Sequence, residues 1–459
     1  MLVSGGLLGA AYGLHPWWPA AWLAPIPVLA AAFSVSARAA WWLACGAGLI
    51  GGLTLVPFYL DVMPPAAVAL TTLIRALIWG TVVLLTRRIV LVTTHWTRVF
   101  VFPVLWAAVD TLVAAVSPHG SAGSLAYSQM DALPVIQVAA LAGAPGIVFV
   151  VMLFASLVAV DVDRRRRGAP SAWRMPLLVL VVALGYGAGR LAIPDTAPPV
   201  TVGLAALDVR PGVASGELLW TTYSRAIDGL AERGARIVVL PEKIDTVDAA
   251  TAPALQRRLG ALAEYYGVSL VAGVTVVGEG RRENRAWLFG PTGALAADYS
   301  KQHLIPGIEA AFAPGRTDAV QVVDAEILGV AICKDLDFPA LGQRYGVKGT
   351  RLMLVPAWDF RRDDWQHARM AVLRGVEGGF TVVRAARDGL LTISDRYGRV
   401  LAEAASAEGR TTLISGLAPR GAPTIYVELG DAFGWVCVVL ALIAWLRAAL
   451  QRGEETPAS

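Results

Sequence analysis

The chain has 459 residues, 56% of them hydrophobic and only 16% charged, with a formal net charge of +4. A soluble globular chain carries about 25% charged residues, so a single water-soluble domain of this length is excluded. The basic excess sits in short Arg clusters beside apolar runs, which points to membrane topology and not to nucleic acid as a partner.

In chain order, apolar runs predict membrane-spanning segments at about 2–14, 17–33, 40–60, 65–86, 99–117, 139–160 and 174–193. The first two are short and flank His15-Pro16-Trp17-Trp18-Pro19, which reads as a helical hairpin or one interrupted segment. The N-terminus has no basic n-region and no cleavage site, so no removable signal peptide is expected. Arg38, then Arg87, Arg88 and Arg98, then Arg164 to Arg167 fall in alternate loops, which places those loops in the cytoplasm. The seventh segment then leads outward, and a last apolar run at about 433–449 returns to Arg447 and Arg452. The expected organisation is a helical membrane domain at 1–194 with about seven spans, an extracytoplasmic globular domain at 195–430, and an anchor with a cytoplasmic tail at 431–459. Arg75 and Asp110 fall inside predicted spans, where ionisable groups are costly. A structural pair and a path for substrate or protons are the two readings.

Within 195–430, strand-like runs at about 200–206, 236–240, 269–277, 285–289, 327–332, 352–356, 380–384 and 411–415 are interleaved with helical patterns. The helices are expected at about 217–233, 253–266 and 363–378, the first with Leu218, Ile227 and Leu230 on one face. This predicts a layered α/β domain. Three strand-like runs end in reactive residues: Ile237 to Pro241 leads to Glu242, Ala297 to Ser300 leads to Lys301, and Gly329 to Ile332 leads to Cys333. Cys45 and Cys437 lie in apolar spans, so Cys333 has no disulfide partner in its domain and belongs to no CxxC pattern. The five histidines show no metal-ligand spacing, and no metal or other cofactor is expected.

A thiolate is a strong nucleophile, and a carboxylate at a strand end serves as its base. An ammonium beside them stabilises a developing oxyanion, aided by the backbone N–H of Lys334. Singly, each residue has a plainer reading: a core cysteine, a solvated lysine, a Pro-Glu turn. Their joint order and settings carry the case for covalent acyl transfer.

The runs Val239-Leu240-Pro241-Glu242, Tyr299-Ser300-Lys301-Gln302-His303-Leu304-Ile305-Pro306 and Gly329-Val330-Ala331-Ile332-Cys333 resemble the three signatures of the nitrilase, or carbon–nitrogen hydrolase, superfamily. That resemblance implies an αββα sandwich with Glu242 as base, Lys301 as oxyanion stabiliser and Cys333 as nucleophile. The stretch from Arg369 to Ala386 resembles the superfamily's later helix and strand. Several spans, a nitrilase-like domain and one closing span resemble the layout of the apolipoprotein N-acyltransferase family over nearly the whole chain. Leu125-Ala126-Tyr127-Ser128-Gln129 and Pro423-Thr424-Ile425-Tyr426 resemble segments of it as well.

The family resemblance implies a multi-pass enzyme of the bacterial inner membrane, its catalytic domain on the periplasmic face. Cys333 would take an acyl chain from a phospholipid as a thioester, and the α-amino group of a lipoprotein's N-terminal diacylglyceryl-cysteine would then accept it. The tether makes a monomer the expected state. Glu309 matches a further supporting acid of the family. Lys334-Asp335 stands where the family has an aromatic and then an acid, and a cation beside the thiol is expected to lower its pKa. Trp358 and Phe360, with Trp365, are candidates to line an acyl groove, and equally for core or interfacial positions. Arg361-Arg362 reads as a contact to lipid phosphates or a solvated pair. Two other readings compete: a membrane-tethered amidase or nitrilase using water as acceptor, and a non-catalytic membrane scaffold.

Overall fold

The computed structural model describes all residues except 94, 172, 195–197, 208–216, 279, 408, 419–420 and 455–459, so the end of the expected tail lies outside the described residues. The chain divides into two compact units, Met1–Val116 with Gly123–Ala192 and Gly430–Ser459, and Ser117–Ala122 with Ile193–Leu429.

The first unit is helical. Among the described residues, four helices are long and apolar enough to cross a bilayer: Pro65–Val92, Trp96–Val116, Ala139–Arg166 and Arg174–Leu191. The run expected at 40–60 is instead two helices, Ala37–Leu53 and Val56–Val62, bent by 59° at a break followed by Pro57. Counted as one span, they bring the number to five. Leu2–Tyr12, Trp18–Ala32 and Ala432–Arg447 are shorter apolar helices. Proline accounts for part of this, since Pro25 starts a new helix inside the second run. Ala139–Arg166 is the central element, with 83% of its apolar window buried. Arg87 donates to the carbonyls of Ala32 at 2.8 Å and Val35 at 2.7 Å, satisfying a helix end that has no intrahelical donors left. The Arg75 guanidinium lies 4.5 Å over the Tyr12 ring and 3.5 Å from the Tyr59 hydroxyl.

The second unit is a pair of sheets. Its strands are β1 (Val200–Ala206), β2 (Ile237–Val239), β3 (Asp245–Asp248), β4 (Ser269–Gly278), β5 (Arg281–Phe289), β6 (Leu295–Ser300), β7 (Ala319–Val323), β8 (Glu326–Val330), β9 (Leu352–Trp358), β10 (Thr381–Arg387), β11 (Leu390–Ser394), β12 (Val400–Ala405) and β13 (Thr411–Leu417). One sheet runs β13-β1-β2-β4-β5-β6 with β3 on β4, and the other runs β12-β11-β10-β9-β8-β7. The centre of each is parallel (β1-β2-β4 and β8-β9-β10), β3 also pairs parallel to β4, and the other strand pairings are antiparallel.

Strand alternation decides the layers. Val202, Leu204 and Val239 of the first sheet bury against Leu328, Leu354 and Val383 of the second. The opposite face of the first sheet is covered by helices Glu217–Glu232 and Ala252–Tyr266, which pack Trp220, Ile227 and Leu259 onto Val238 and Leu270. Helices Pro339–Val347 and Asp364–Gly378 cover the second, with Leu341, Tyr345 and Ala371 on Met353 and Val355. The result is the expected αββα sandwich. Leu218 is a correction: it is 68% exposed, and the buried stripe runs instead through Leu219, Trp220, Tyr223, Ile227 and Leu230.

The parallel centres place the site. Glu242 follows β2, Lys301 follows β6 and Cys333 follows β8, so two residues come from one sheet and the third from its partner. Gly273 in β4 lets the Glu242 turn close down, because a Cβ there would overlap the Pro241 carbonyl oxygen and lie 2.6 Å from Glu242 Cα. Gly273→Ala is therefore expected to destabilise the fold by about 1–3 kcal/mol through overpacking. It should also depress acylation of Cys333. A thermal midpoint and acylation rate equal to those of the wild type would show that the turn absorbs the methyl.

Candidate active site

Glu242 is 1% exposed, and its Oε1 accepts from Lys301 Nζ at 2.9 Å and from Asn284 Nδ2 at 2.5 Å. Glu309 closes the other side of the same ammonium, its Oε2 lying 3.0 Å from Lys301 Nζ. It also accepts from Asn284 Nδ2 at 3.0 Å and from the Ile305 amide at 2.9 Å. Lys243 pairs with Glu309, lies 3.6 Å from Glu242 Oε1, and stacks its ammonium 4.8 Å from the Phe312 ring centre. Two lysines and two carboxylates thus balance around one amide. Balance is required here, since each unpaired buried ion would cost several kcal/mol.

The electrostatics follow. Burial alone would lower the Lys301 pKa, but Glu242, then Cys333 and Glu309, outweigh it and hold the ammonium charged. Burial works against the Glu309 carboxylate as well, yet Lys301 and Lys243 carry it down to about 2. Ionised Glu309 therefore stabilises the loop above its ordinary carboxyl range, and that contribution is lost as pH falls from about 4.5 towards 2.

Cys333 begins the short 3-10 turn Cys333–Asp337 with φ +44, a left-handed conformation that a side chain rarely adopts. Its thiol is 3.6 Å from the Trp358 carbonyl oxygen, to which it donates. Burial, and next the Glu242 carboxylate, push the thiol pKa well up, while Lys301 and Arg384 oppose without cancelling. The expected lowering by Lys334 does not occur. The Lys334 ammonium is turned to Asp337 and to His119, each at 3.2 Å.

Asp335 ties the turns together. It accepts from the amides of Ile332 at 3.0 Å, Gln302 at 3.1 Å and His303 at 2.8 Å, and from the Tyr299 hydroxyl at 2.7 Å. Its carboxylate thus bridges the residues flanking Lys301 and the residue before Cys333. Behind the thiol, Arg384 makes a two-pronged pair with Asp359 at 2.9 and 2.5 Å, both fully buried.

A thiol and a carboxylate with a held ammonium are the chemical parts that acyl transfer needs. Residues 204–422 match the carbon-nitrogen hydrolase family model, and residues 4–157 match the apolipoprotein N-acyltransferase N-terminal domain. The chain belongs to the apolipoprotein N-acyltransferase family. It is 27% identical over 400 residues to the apolipoprotein N-acyltransferase of Geobacter metallireducens, covering 76% of this chain and 74% of that one. The Vibrio vulnificus enzyme of the same name is 25% identical over 386 residues, covering 75% and 74%. A solved amidase from Nesterenkonia sp. matches 53% of this chain and 97% of its own, with 23% identity and a TM-score of 0.44. The protein is thus a family acyltransferase with a carbon–nitrogen hydrolase domain.

Of the residues singled out from sequence, Glu242, Lys301, Cys333, Glu309 and Asp335 are held around one buried centre. Trp358 reaches it through its backbone carbonyl, while its indole donates to Asp388 at 3.0 Å and lies under the Arg387 guanidinium at 4.3 Å. Phe360 is 37% exposed, its amide held by Asp363 at 3.0 Å. Arg361 pairs with Asp388 at 3.0 Å. Asn284, Lys243, Arg384 and Asp359 are not among the sequence candidates. Lys243 is signalled by its place next to Glu242, whereas Asn284 lies just before the strand-like run read at 285–289, and only the longer β5 carries it to the Glu242 and Glu309 carboxylates.

Proposed function

We propose that the protein moves an acyl chain from a phospholipid, through a thioester on Cys333, to the α-amino group of a lipoprotein's N-terminal diacylglyceryl-cysteine. The observation that carries this is the buried Glu242–Lys301 pair set against a protonated thiol, in a chain whose relatives are named apolipoprotein N-acyltransferase. Both substrates are bilayer lipids, and the apolar helices of 1–194 and 431–459 supply proximity to them. The 195–430 domain is read as catalytic and the Arg-bearing loops as cytoplasmic, which puts the site on the extracytoplasmic face.

Because the thiol rests protonated, its proton passes to Glu242 as sulfur attacks the ester carbonyl. The oxyanion that forms is stabilised by the Lys301 ammonium and the Lys334 N–H. Collapse expels the lysophospholipid alkoxide, which takes the proton back from Glu242. The acceptor amine then attacks the thioester, gives its proton to Glu242, and the released thiolate recovers it. Glu309 and Lys243 keep the carboxylate and ammonium in register through both steps. Trp358 and Phe360 are assigned to the acyl-chain path.

The test is mass spectrometry of the purified chain after incubation with a defined phospholipid. An acyl-sized, hydroxylamine-sensitive adduct on Cys333 with release of lysophospholipid, absent in Cys333→Ala, is the expected result. Hydrolysis of small amides with no adduct would sink this reading in favour of a tethered amidase.

A further inference from the structure

Segment Ser117–Ala122 lies directly on the turn that carries Cys333. The Ser121 amide and hydroxyl both donate to the Asp337 carbonyl oxygen at 2.9 Å. Gly120 has φ +52, and a Cβ there would overlap the same oxygen. Gln366 Nε2 donates to the Ala122 carbonyl oxygen at 3.0 Å. His119 of the segment meets Lys334 of the turn, with Nζ 3.2 Å from Nδ1. Lys334 is 5% exposed, pairs with Asp337 at 3.2 Å, and lies 5.6 Å from the Phe338 ring centre.

An ammonium can only donate, so His119 must accept at Nδ1 and carry its proton on Nε2. A protonated imidazole has no acceptor left and would face Lys334 as a like charge. The contact exists only while His119 is neutral.

We propose that Lys334 and His119 form a positioning latch, which holds the peptide after Cys333 in place for oxyanion binding and which protonation of His119 releases. The groups facing His119 are Lys334 and Asp337 of the turn and His367 of helix Asp364–Gly378. Partial burial, then Lys334, with His367 adding, hold the His119 pKa below 6.5, against a smaller opposing pull from Asp337. The sign is that of a depressed base: the latch is intact at and above the ordinary imidazole range and is lost as pH falls through the lowered His119 pKa. Lys334 and His119 touch no reacting atom through their side chains. They act through the backbone of the turn. This inference rests on Cys333 being the nucleophile, and not on the identity of the natural acyl donor.

The test is single-turnover acylation of Cys333 in the full-length protein by a p-nitrophenyl acyl ester from pH 5 to 8.5. Alkylation by iodoacetamide is followed in parallel. Alkylation reports the thiolate alone, whereas ester attack draws on the Glu242 base and the oxyanion site. Each ratio of acylation to alkylation is therefore read against that of His119→Gln, which shares the thiol and Glu242 titrations, keeps an acceptor at 119 and cannot titrate there. Relative to His119→Gln, the wild-type ratio is expected to hold constant above pH 7.5 and to fall by up to about tenfold towards pH 5. Lys334→Met should hold the ratio at about a tenth of the neutral wild-type value, and Lys334→Arg should recover most of it. A wild-type ratio that parallels that of His119→Gln at every pH would overturn the latch. If Lys334→Met does not fold, the wild-type and His119→Gln profiles still decide. A protein acylated by the nitrophenyl ester but not by phospholipid would refute the proposed donor and leave the latch standing.

Discussion

Glu242→Gln is expected to make Cys333 easier to ionise and far slower to acylate. After burial, the Glu242 carboxylate is the largest influence raising the thiol pKa, while Lys301 lowers it. Removing the carboxylate's charge leaves Lys301 acting on the sulfur with Glu309 as its remaining carboxylate. The thiolate fraction at neutral pH therefore rises, and iodoacetamide should alkylate Cys333 several-fold faster. Acylation moves the other way, because the thiol proton has nowhere to go during attack and the leaving alkoxide has no acid to meet it. General acid–base catalysis is worth about 10²–10⁴-fold, so the acylation rate should fall by at least about 100-fold. The introduced carboxamide would retain a hydrogen-bonding oxygen for Lys301, which keeps the geometry comparable. Alkylation and acylation falling together would mean that Glu242 only holds Lys301 in place.

This divergence separates the present site from one built on a free thiolate. From sequence, the cation next to the sulfur implies an acidic thiol. The backbone decides otherwise: with φ +44 at Cys333, the next side chain leaves the thiol and goes to His119 and Asp337. A residue adjacent in sequence is thus not adjacent in space at a strained turn.

Much else is legible for a physical reason. Glu242, Lys301 and Cys333 each end an apolar run, and the apolar alternation that marks a strand also marks where it stops. The buried central strands are legible for the same reason. Strands β3, β7, β11 and β12 are not: Asp245–Asp248 has little apolar signal, and Val400–Ala405 is alanine-rich with no buried face to mark a period. Their pairing is set by neighbours far away in sequence. The membrane helices show the complementary failure. Composition reveals apolar length, but proline and the bend after Leu53 decide where a helix is interrupted. Asn284 and Arg384 illustrate the remaining gap: polar residues in strands carry no apolar signal, and only carboxylates brought from distant segments, Glu242 and Glu309 for one and Asp359 for the other, account for their burial.

Asp335→Asn is expected to cost both stability and acylation, although Asp335 is placed at no reacting atom. Its Oδ1 accepts from the Gln302 and His303 amides and lies 3.0 Å from His303 Nδ1; its Oδ2 accepts from the Ile332 amide and the Tyr299 hydroxyl. An asparagine offers one carbonyl oxygen and one NH₂ group. Whichever way it is turned, an NH₂ must face donors, and at least one buried amide loses its acceptor. Each such loss costs about 1–3 kcal/mol, with hydrogen bonds to a charged acceptor at the upper end. A total of about 3 kcal/mol would lower the thermal midpoint by several degrees. The same bonds set the distance between the residues after Lys301 and the one before Cys333, and a displacement of about 1 Å at such a centre can cost 10²-fold in rate. Tyr299→Phe supplies the comparison, since it removes one donor and leaves the carboxylate with its three backbone amides. It should lose under about 2 kcal/mol and keep most of its acylation rate. If Asp335→Asn melts earlier yet acylates at the wild-type rate, the carboxylate serves the fold alone. Equal losses in the two variants would place the essential contact at the Tyr299 hydroxyl instead of the backbone.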